Sequence, residues 1–407
     1  MGILLLSSDV DAATTVDTAT GPLVRWLPDV VTQTQQWRTD ILKAHDGTEH
    51  RVAVLPTPRD RFELGWVLDD DMMREIRDEL LLSPDQTFLV PLAHESEALT
   101  AALTGTTLYF DQTYCDWCQV GRSVLVLGYD DTGTAYHQAT ITAVDPTGNV
   151  TISPTASPLS FAAGAARVYP LAALYLGDGA PTARYPVNAG QWSLTGVTAD
   201  LMPELGTGGT VTEFDIYPVL DLPPLNTEQV VEAVEAGVQV IDYGGVIEAA
   251  WGRSVADMVR GVRLMLATRA ERQWAKAFLD ACRGRQCAFW LPTWRRDLVT
   301  LSYPDAGDDT VTVESTDILD AGSSAHVACQ FAWANGDISY HTVVTATDNL
   351  DGTHGVEFSP VFPYEIDGEH AVVISWLELC RLATDEVTWS HGSTRSILNL
   401  SAQVVQW

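Results

Sequence analysis

Tyr136-His-Gln-Ala-Thr-Ile-Thr-Ala-Val-Asp145, followed by Pro-Thr-Gly-Asn-Val-Thr-Ile-Ser-Pro154, returns later in the chain. The second version is Tyr340-His-Thr-Val-Val-Thr-Ala-Thr-Asp348, followed by Asn-Leu-Asp-Gly-Thr-His-Gly-Val-Glu-Phe-Ser-Pro360. Each version alternates apolar and polar residues, passes a glycine at Gly148 or Gly352, and alternates again, which is the pattern of a β-hairpin. The offset is 204 residues at the start and 206 at the end, so the second turn carries a small insertion.

Working outward, the register persists. Phe88-Leu-Val-Pro91 answers Phe289-Trp-Leu-Pro292, and Thr107-Leu-Tyr-Phe-Asp111 answers Thr310-Val-Thr-Val-Glu314. Further on, Leu171–Leu176 answers Leu377–Leu382, and Ser193-Leu-Thr-Gly196 answers Asn399-Leu-Ser-Ala402. Five matches in one order, with offsets between 201 and 206, indicate an internal duplication. Residues 1–203 form the first module in this reading and residues 211–407 the second. Between them, residues 204–210 include Leu205-Gly-Thr-Gly-Gly-Thr210, which has the chemistry of a linker.

Each copy opens with alternating segments, His50–Leu55 and Val238–Asp242. An amphipathic helix follows, Asp70–Leu82 in the first copy and about Thr268–Arg283 in the second. In the second helix Trp274, Phe278 and Cys282 share a face, Thr268 and Glu271 have capping-box spacing, and Gly284 stands where the helix stops. Short strands with turns at Asp131–Gly133, Asp145–Gly148 and Asn349–Gly352 complete each copy. The final strands are Gln191–Thr198 and Ile397–Val405. The expected fold is mainly β with a few helices (α+β): two tandem, related β-sandwich or barrel modules, each with one main flanking helix.

The 407 residues carry 23 Lys and Arg against 54 Asp and Glu, a net charge of −31. That field repels phosphate backbones, so direct nucleic-acid binding is not expected. It also keeps a protein with adhesive assembly surfaces soluble until its partners arrive, unless it reflects only a host that favours acidic proteins. Met1–Ser7 has a four-residue apolar run without a basic flank, so neither a signal peptide nor a membrane insertion is expected. Gly2 is not followed by a myristoylation pattern, because Leu6 stands where Ser or Thr is needed.

Little in the sequence promotes catalysis. Phosphate-binding, zinc-protease and serine-hydrolase signatures are absent, and no cofactor or enzyme activity is expected. Cys115-Asp-Trp-Cys118 has zinc-ligand spacing but no second pair, so the six cysteines are expected to be free thiols and no metal is expected. Asp69-Asp-Asp71 could hold calcium, although acids at a helix start ordinarily serve the helix dipole. Tyr136-His137 and Tyr340-His341 alternate on strands and are expected to be structural. The most distinctive run is Cys282–Asp297, in which Arg283, Arg285, Phe289, Trp290, Trp294, Arg295 and Arg296 concentrate positive charge and aromatic rings in an acidic chain. Interface centres favour that mixture, so these residues are the candidate assembly interface; a core strand beside an exposed basic turn is the other reading.

A helix ending in Arg-Gly-Arg285, then Phe289-Trp-Leu-Pro-Thr-Trp294 and an acidic residue, resembles the distal tail and baseplate hub proteins of the tail tip of long-tailed bacteriophages. The resemblance covers closely only the run Cys282–Asp297 of the second copy, about 16 residues, while the first copy keeps only Phe88-Leu-Val-Pro91. It implies a virion protein, made in the host cytoplasm, that forms a ring layer continuing or closing the tail tube. Its implied partners are the tail tube protein, the tape measure protein and other tail-tip or baseplate proteins. Two equivalent modules per chain would let a homotrimer match a six-fold tube with pseudo-six-fold symmetry; a hexamer of whole chains is the alternative. Two other functions stay open: a carbohydrate-binding adhesion module using Tyr114 and Trp117 in a loop, and a cell-wall hydrolase.

Overall fold

The computed structural model describes residues 6–7, 30–43, 48–69, 87–103, 105–113, 115–130, 133–145, 149–153, 160–176, 182–184, 189–198, 210–225, 231–235, 238–242, 247–251, 257–314, 327–366, 373–392 and 395–405. The fold is mainly β, with 60% of residues in strands and one α-helix among the described residues. The expected helix Asp70–Leu82, the linker Leu205–Gly209 and the turn at Gly148 lie outside them.

The principal strands of the first half are β1 (Val30–Lys43), β2 (Glu49–Asp69), β3 (Thr87–Pro91), β4 (Thr107–Tyr109), β5 (Ser123–Asp130), β6 (Gly133–Val144), β7 (Asn149–Ser153), β8 (Ala166–Leu176), β9 (Thr182–Arg184) and β10 (Ala189–Thr198). The second half runs β11 (Val231–Glu235), β12 (Asp257–Leu266), α1 (Arg269–Cys282), β13 (Ala288–Pro292), β14 (Thr310–Glu314), β15 (Ala328–Ala332), β16 (Ile338–Asp348), β17 (Thr353–Ser359), β18 (Val373–Leu382), β19 (Glu386–His391) and β20 (Ser396–Val404). The hairpin Val238–Asp242 with Ile247–Trp251 forms a separate two-stranded sheet.

Both halves pair their strands in the same order, antiparallel throughout. In the first half β2 lies between β1 and β10, β10 also pairs with β9 and β8, and β8 pairs with β3 and β5. The ladder then continues β5–β6–β7–β4. In the second half β12 lies between β11 and β20, β20 pairs with β19 and β18, and β18 pairs with β13 and β15. There the continuation is β15–β16–β17–β14. Registers agree too: Pro91 faces Leu171 as Pro292 faces Leu377, and Leu176 faces Gly196 as Leu382 faces Ala402. Even the bulge recurs, between Ile141 and Ala143 in β6 and between Val343 and Thr345 in β16.

Alternation explains the outer strands. β4, β7, β14 and β17 alternate buried with more exposed residues, and the buried ones fill matching cores: Leu108, Val150 and Ile152 in the first half, Val311, Val313, Val356 and Phe358 in the second. By contrast β13 is buried on both faces. Phe289 and Leu291 join the core under α1, while Trp290 faces Val219, Leu377 and Leu379 on the other side.

Thr268 and Glu271 form the capping box that starts α1. Phe278 stacks on Trp274 at 5.5 Å and meets Phe289 edge-on at 5.1 Å. Burying a ring of that size contributes about 1.5–3 kcal/mol. At the helix end Arg283 adopts the left-handed conformation (φ 50°), so the stop begins one residue before Gly284. Gly284 follows at φ +66°, and a Cβ there would come within 2.7 Å of the Trp37 Cβ and 2.6 Å of Asp385 Oδ1. Gly284→Ala therefore meets both backbone strain and a collision, and it is expected to cost more than about 1 kcal/mol in chemical denaturation.

Candidate functional site at the joint between the halves

The two halves meet by strand pairing. The outer edge of β1 runs antiparallel to β19, with Val31 opposite His391, Gln33 opposite Trp389 and Gln36 opposite Glu386. One continuous sheet therefore passes from β10 through β2, β1, β19 and β20 to β12. Trp37 of β1 is buried in the second half's core, beside Phe278, Trp389 and Leu398.

A polar network crosses this sheet strand by strand. Trp389 Nε1 donates to Gln35 Oε1 at 2.9 Å, and His391 Nε2 donates to Gln33 Oε1 at 3.0 Å. His391 Nδ1 is then left to accept from the Ser396 hydroxyl at 2.8 Å. The side chains of Gln33 and Gln35 in turn hydrogen-bond the Asp60 carboxyl on β2. Burial raises that carboxyl, and the two glutamines and Lys276 only partly oppose it, leaving its pKa at about 6.

Above the sheet, the segment after β3 docks on α1. Lys276 Nζ donates to Glu95 Oε1 at 2.7 Å and Asp116 Oδ2 at 2.9 Å, in a buried cluster. Burial alone would raise Glu95, but Lys276 outweighs it and brings the carboxyl down to about 2. The same two acids hold Lys276 charged against its own desolvation. Arg272 donates to the His94 carbonyl at 2.9 Å, and Arg269 pairs with Glu97 and donates to the Ser96 carbonyl. The His94 ring stacks on His391 with centroids 3.8 Å apart, and burial depresses both imidazoles well below the ordinary histidine range. Two imidazolium rings in that stack would also repel each other in a poorly screened space, which acts in the same direction as burial.

Around the free end of α1 a third group of contacts locks the β1–β2 hairpin. Arg381 makes a bidentate pair with Glu49 at 2.8 and 2.9 Å. Asp385 accepts from the backbone N–H groups of Thr39 (2.8 Å) and Arg285 (2.9 Å), and Arg285 reaches the Thr39 carbonyl at 2.8 Å.

These positions divide the candidate interface residues. Arg285 does join two surfaces, but both belong to one chain. Phe289 and Trp290 are 0% and 3% exposed, so they are not available to a neighbour; α1 covers one face of β13, and Trp290 donates its indole N–H to the Phe214 carbonyl on the other. Arg283 caps the helix and Trp294, in the left-handed region, is partly buried. Arg295 and Arg296 are exposed.

His341 is buried between Ser339 Oγ and the Pro360 carbonyl, 2.7 Å from each, while the Tyr340 hydroxyl donates to Asp221. Trp117, considered for sugar stacking, is buried against Phe110 and donates to the Glu95 carbonyl; Tyr114 lies outside the described residues. Cys115, Cys118, Cys282, Cys287, Cys329 and Cys380 are free thiols. No group of three or more His, Cys, Asp or Glu side chains arranged to hold a metal occurs among the described residues, and Asp70 and Asp71 lie outside them.

The sequence reading missed Lys276, Glu95, Asp116, the His94–His391 stack, Asp60 and the Glu49–Arg381 pair. These partners stand up to 332 residues apart, beyond any local pattern. The one available signal was a lysine among the buried positions of an amphipathic helix.

Lys276→Met leaves two buried carboxylates without their cation and is expected to cost about 3–5 kcal/mol in chemical denaturation. Adding Glu95→Gln to it should recover part of that loss, read as a coupling energy in the double-mutant cycle. Asp60 sets a pH dependence of definite sign. The folded state holds its proton more tightly than the unfolded chain does, so the carboxyl costs nothing below pH about 4 and destabilises increasingly as pH rises through about 6. Relative to wild type, Asp60→Asn should therefore gain about 2–3 kcal/mol between pH 4 and pH 8, measured by denaturant titration at each pH.

No family model matches the chain, and none of the curated proteins compared with it is similar.

Proposed function

We propose that this chain is a structural, non-enzymatic subunit of a ring in the tail tip of a long-tailed bacteriophage. In this reading residues 1–203 and 211–407 are duplicated modules, and three chains form a pseudo-six-fold ring that continues or closes the tail tube. The ring connects the tube to baseplate or receptor-binding proteins, with the tube and tape measure proteins as axial neighbours.

One observation carries the reading: two halves with the same strand order are joined edge to edge, β1 on β19, so that a sheet continues from one to the other. A joint between like units, offset along a curve, is the element from which rings are built. The Cys282–Asp297 resemblance points to the tail tip, and a net charge of −31 suits a subunit that must stay soluble before assembly.

The test is native mass spectrometry with negative-stain electron microscopy on the purified full chain. Three copies in a ring are expected, and six would favour the hexamer of whole chains. A monomer that binds host polysaccharide or clears a cell-wall suspension would overturn the structural reading.

A further inference from the structure

The joint inside the chain uses two outer edges, that of β1 from the first half and that of β19 from the second. Each strand has a counterpart in the other half. β11 pairs with β12 as β1 pairs with β2, and β9 pairs with β10 as β19 pairs with β20. Among the described residues, β11 and β9 each have a strand on one side only. Among the described residues both complementary edges of a second joint are thus present, and open edges of this kind are templates for strand addition.

Resting on the ring reading above, we propose that copies of this chain join head to tail through these edges, β11 of one copy against β9 of the next. The register follows from the ladders. Gln33 leads through Phe62 to Gly196 in the first half, and Ala402, the counterpart of Gly196, leads through Arg260 to Glu232. Trp389 leads to Leu398, whose counterpart Trp192 leads to Thr182. Gln33 faces Trp389 inside the chain, so Glu232 faces Thr182 between copies, and Val231 faces Ala183.

A second, independent observation concerns charge. Leu92 N donates to the Pro170 carbonyl as Thr293 N donates to that of Trp376, which puts the segments after β3 and β13 in step. His94 and Glu95 in the first half therefore correspond to Arg295 and Arg296 in the second. Inside the chain, acid on this segment meets a basic helix. In the second half the sign is reversed: Arg295 and Arg296 make the segment basic, and both are exposed. The stretch between β2 and β3, which stands in sequence where α1 stands between β12 and β13, carries Asp70, Asp71, Glu75, Asp78 and Glu79 against Arg74 and Arg77, a net acidic sequence. A second copy of this chain supplies the matching edge. Such a head-to-tail contact closes into a ring when its rotation divides the circle.

The experiment uses the full chain with Glu232→Cys and Thr182→Cys together, oxidised with glutathione disulfide and run on a non-reducing gel beside wild type, which reports linkage through the native thiols. A covalent ladder ending at about three copies is expected. Arg295→Glu with Arg296→Glu, at exposed positions, should raise the dissociation constant of assembly by about tenfold or more in sedimentation. If wild type assembles but the cysteine pair links no more copies than wild type does, this joint is wrong and the ring reading survives. If wild type is monomeric at micromolar concentration, both fall.

Discussion

A strand edge cannot be left dry: its N–H and C=O groups need partners, from another strand or from water. The pairing of β1 with β19 meets this need by joining strands from the two halves, Val31–Gln36 with Glu386–His391. Everything else at the joint depends on that ladder. It sets Gln33 and Gln35 opposite His391 and Trp389, brings Asp60 behind them, and holds α1 where Lys276 can reach Glu95 and Asp116.

The charge cluster is better understood as a device for register than as a source of net stability. Buried ions lose hydration that their mutual attraction only partly returns, so apolar side chains of the same volume would hold the halves together as well. What such a pair does enforce is alignment: slipping β1 along β19 would leave Lys276 or its acids buried without a partner. The Glu49–Arg381 fork adds the same constraint at the hairpin, since bidentate geometry tolerates little displacement.

Local chemistry made much of the architecture legible in advance. The helix Arg269–Cys282 announced itself through Thr268, Glu271 and the spacing of Phe278 and Cys282. The hairpins at Tyr136 and Tyr340 were visible from alternation, and the paired segments Phe88–Pro91 and Phe289–Pro292 do occupy corresponding strands. The joint was not legible, because sequence periodicity reports which face of a strand is apolar and not which edge meets which. For the same reason Phe289 and Trp290 looked available: an aromatic run reads alike whether one face or both are covered. Gln33, Gln35 and Thr39 have the look of surface residues and are buried only because β19 and Asp385 lie beside them.

Trp37 has a consequence for how the chain comes into being. The Trp37 indole completes a core whose remaining walls include Trp389, Leu398 and Leu400, more than 350 residues further along the chain. Such contacts carry a high loop-closure cost and slow folding. A nascent chain on the ribosome would hold that ring unburied until Trp389, Leu398 and Leu400 had been made. The β1 edge waits as long for β19, and unpaired edges of this kind expose a folding chain to aggregation.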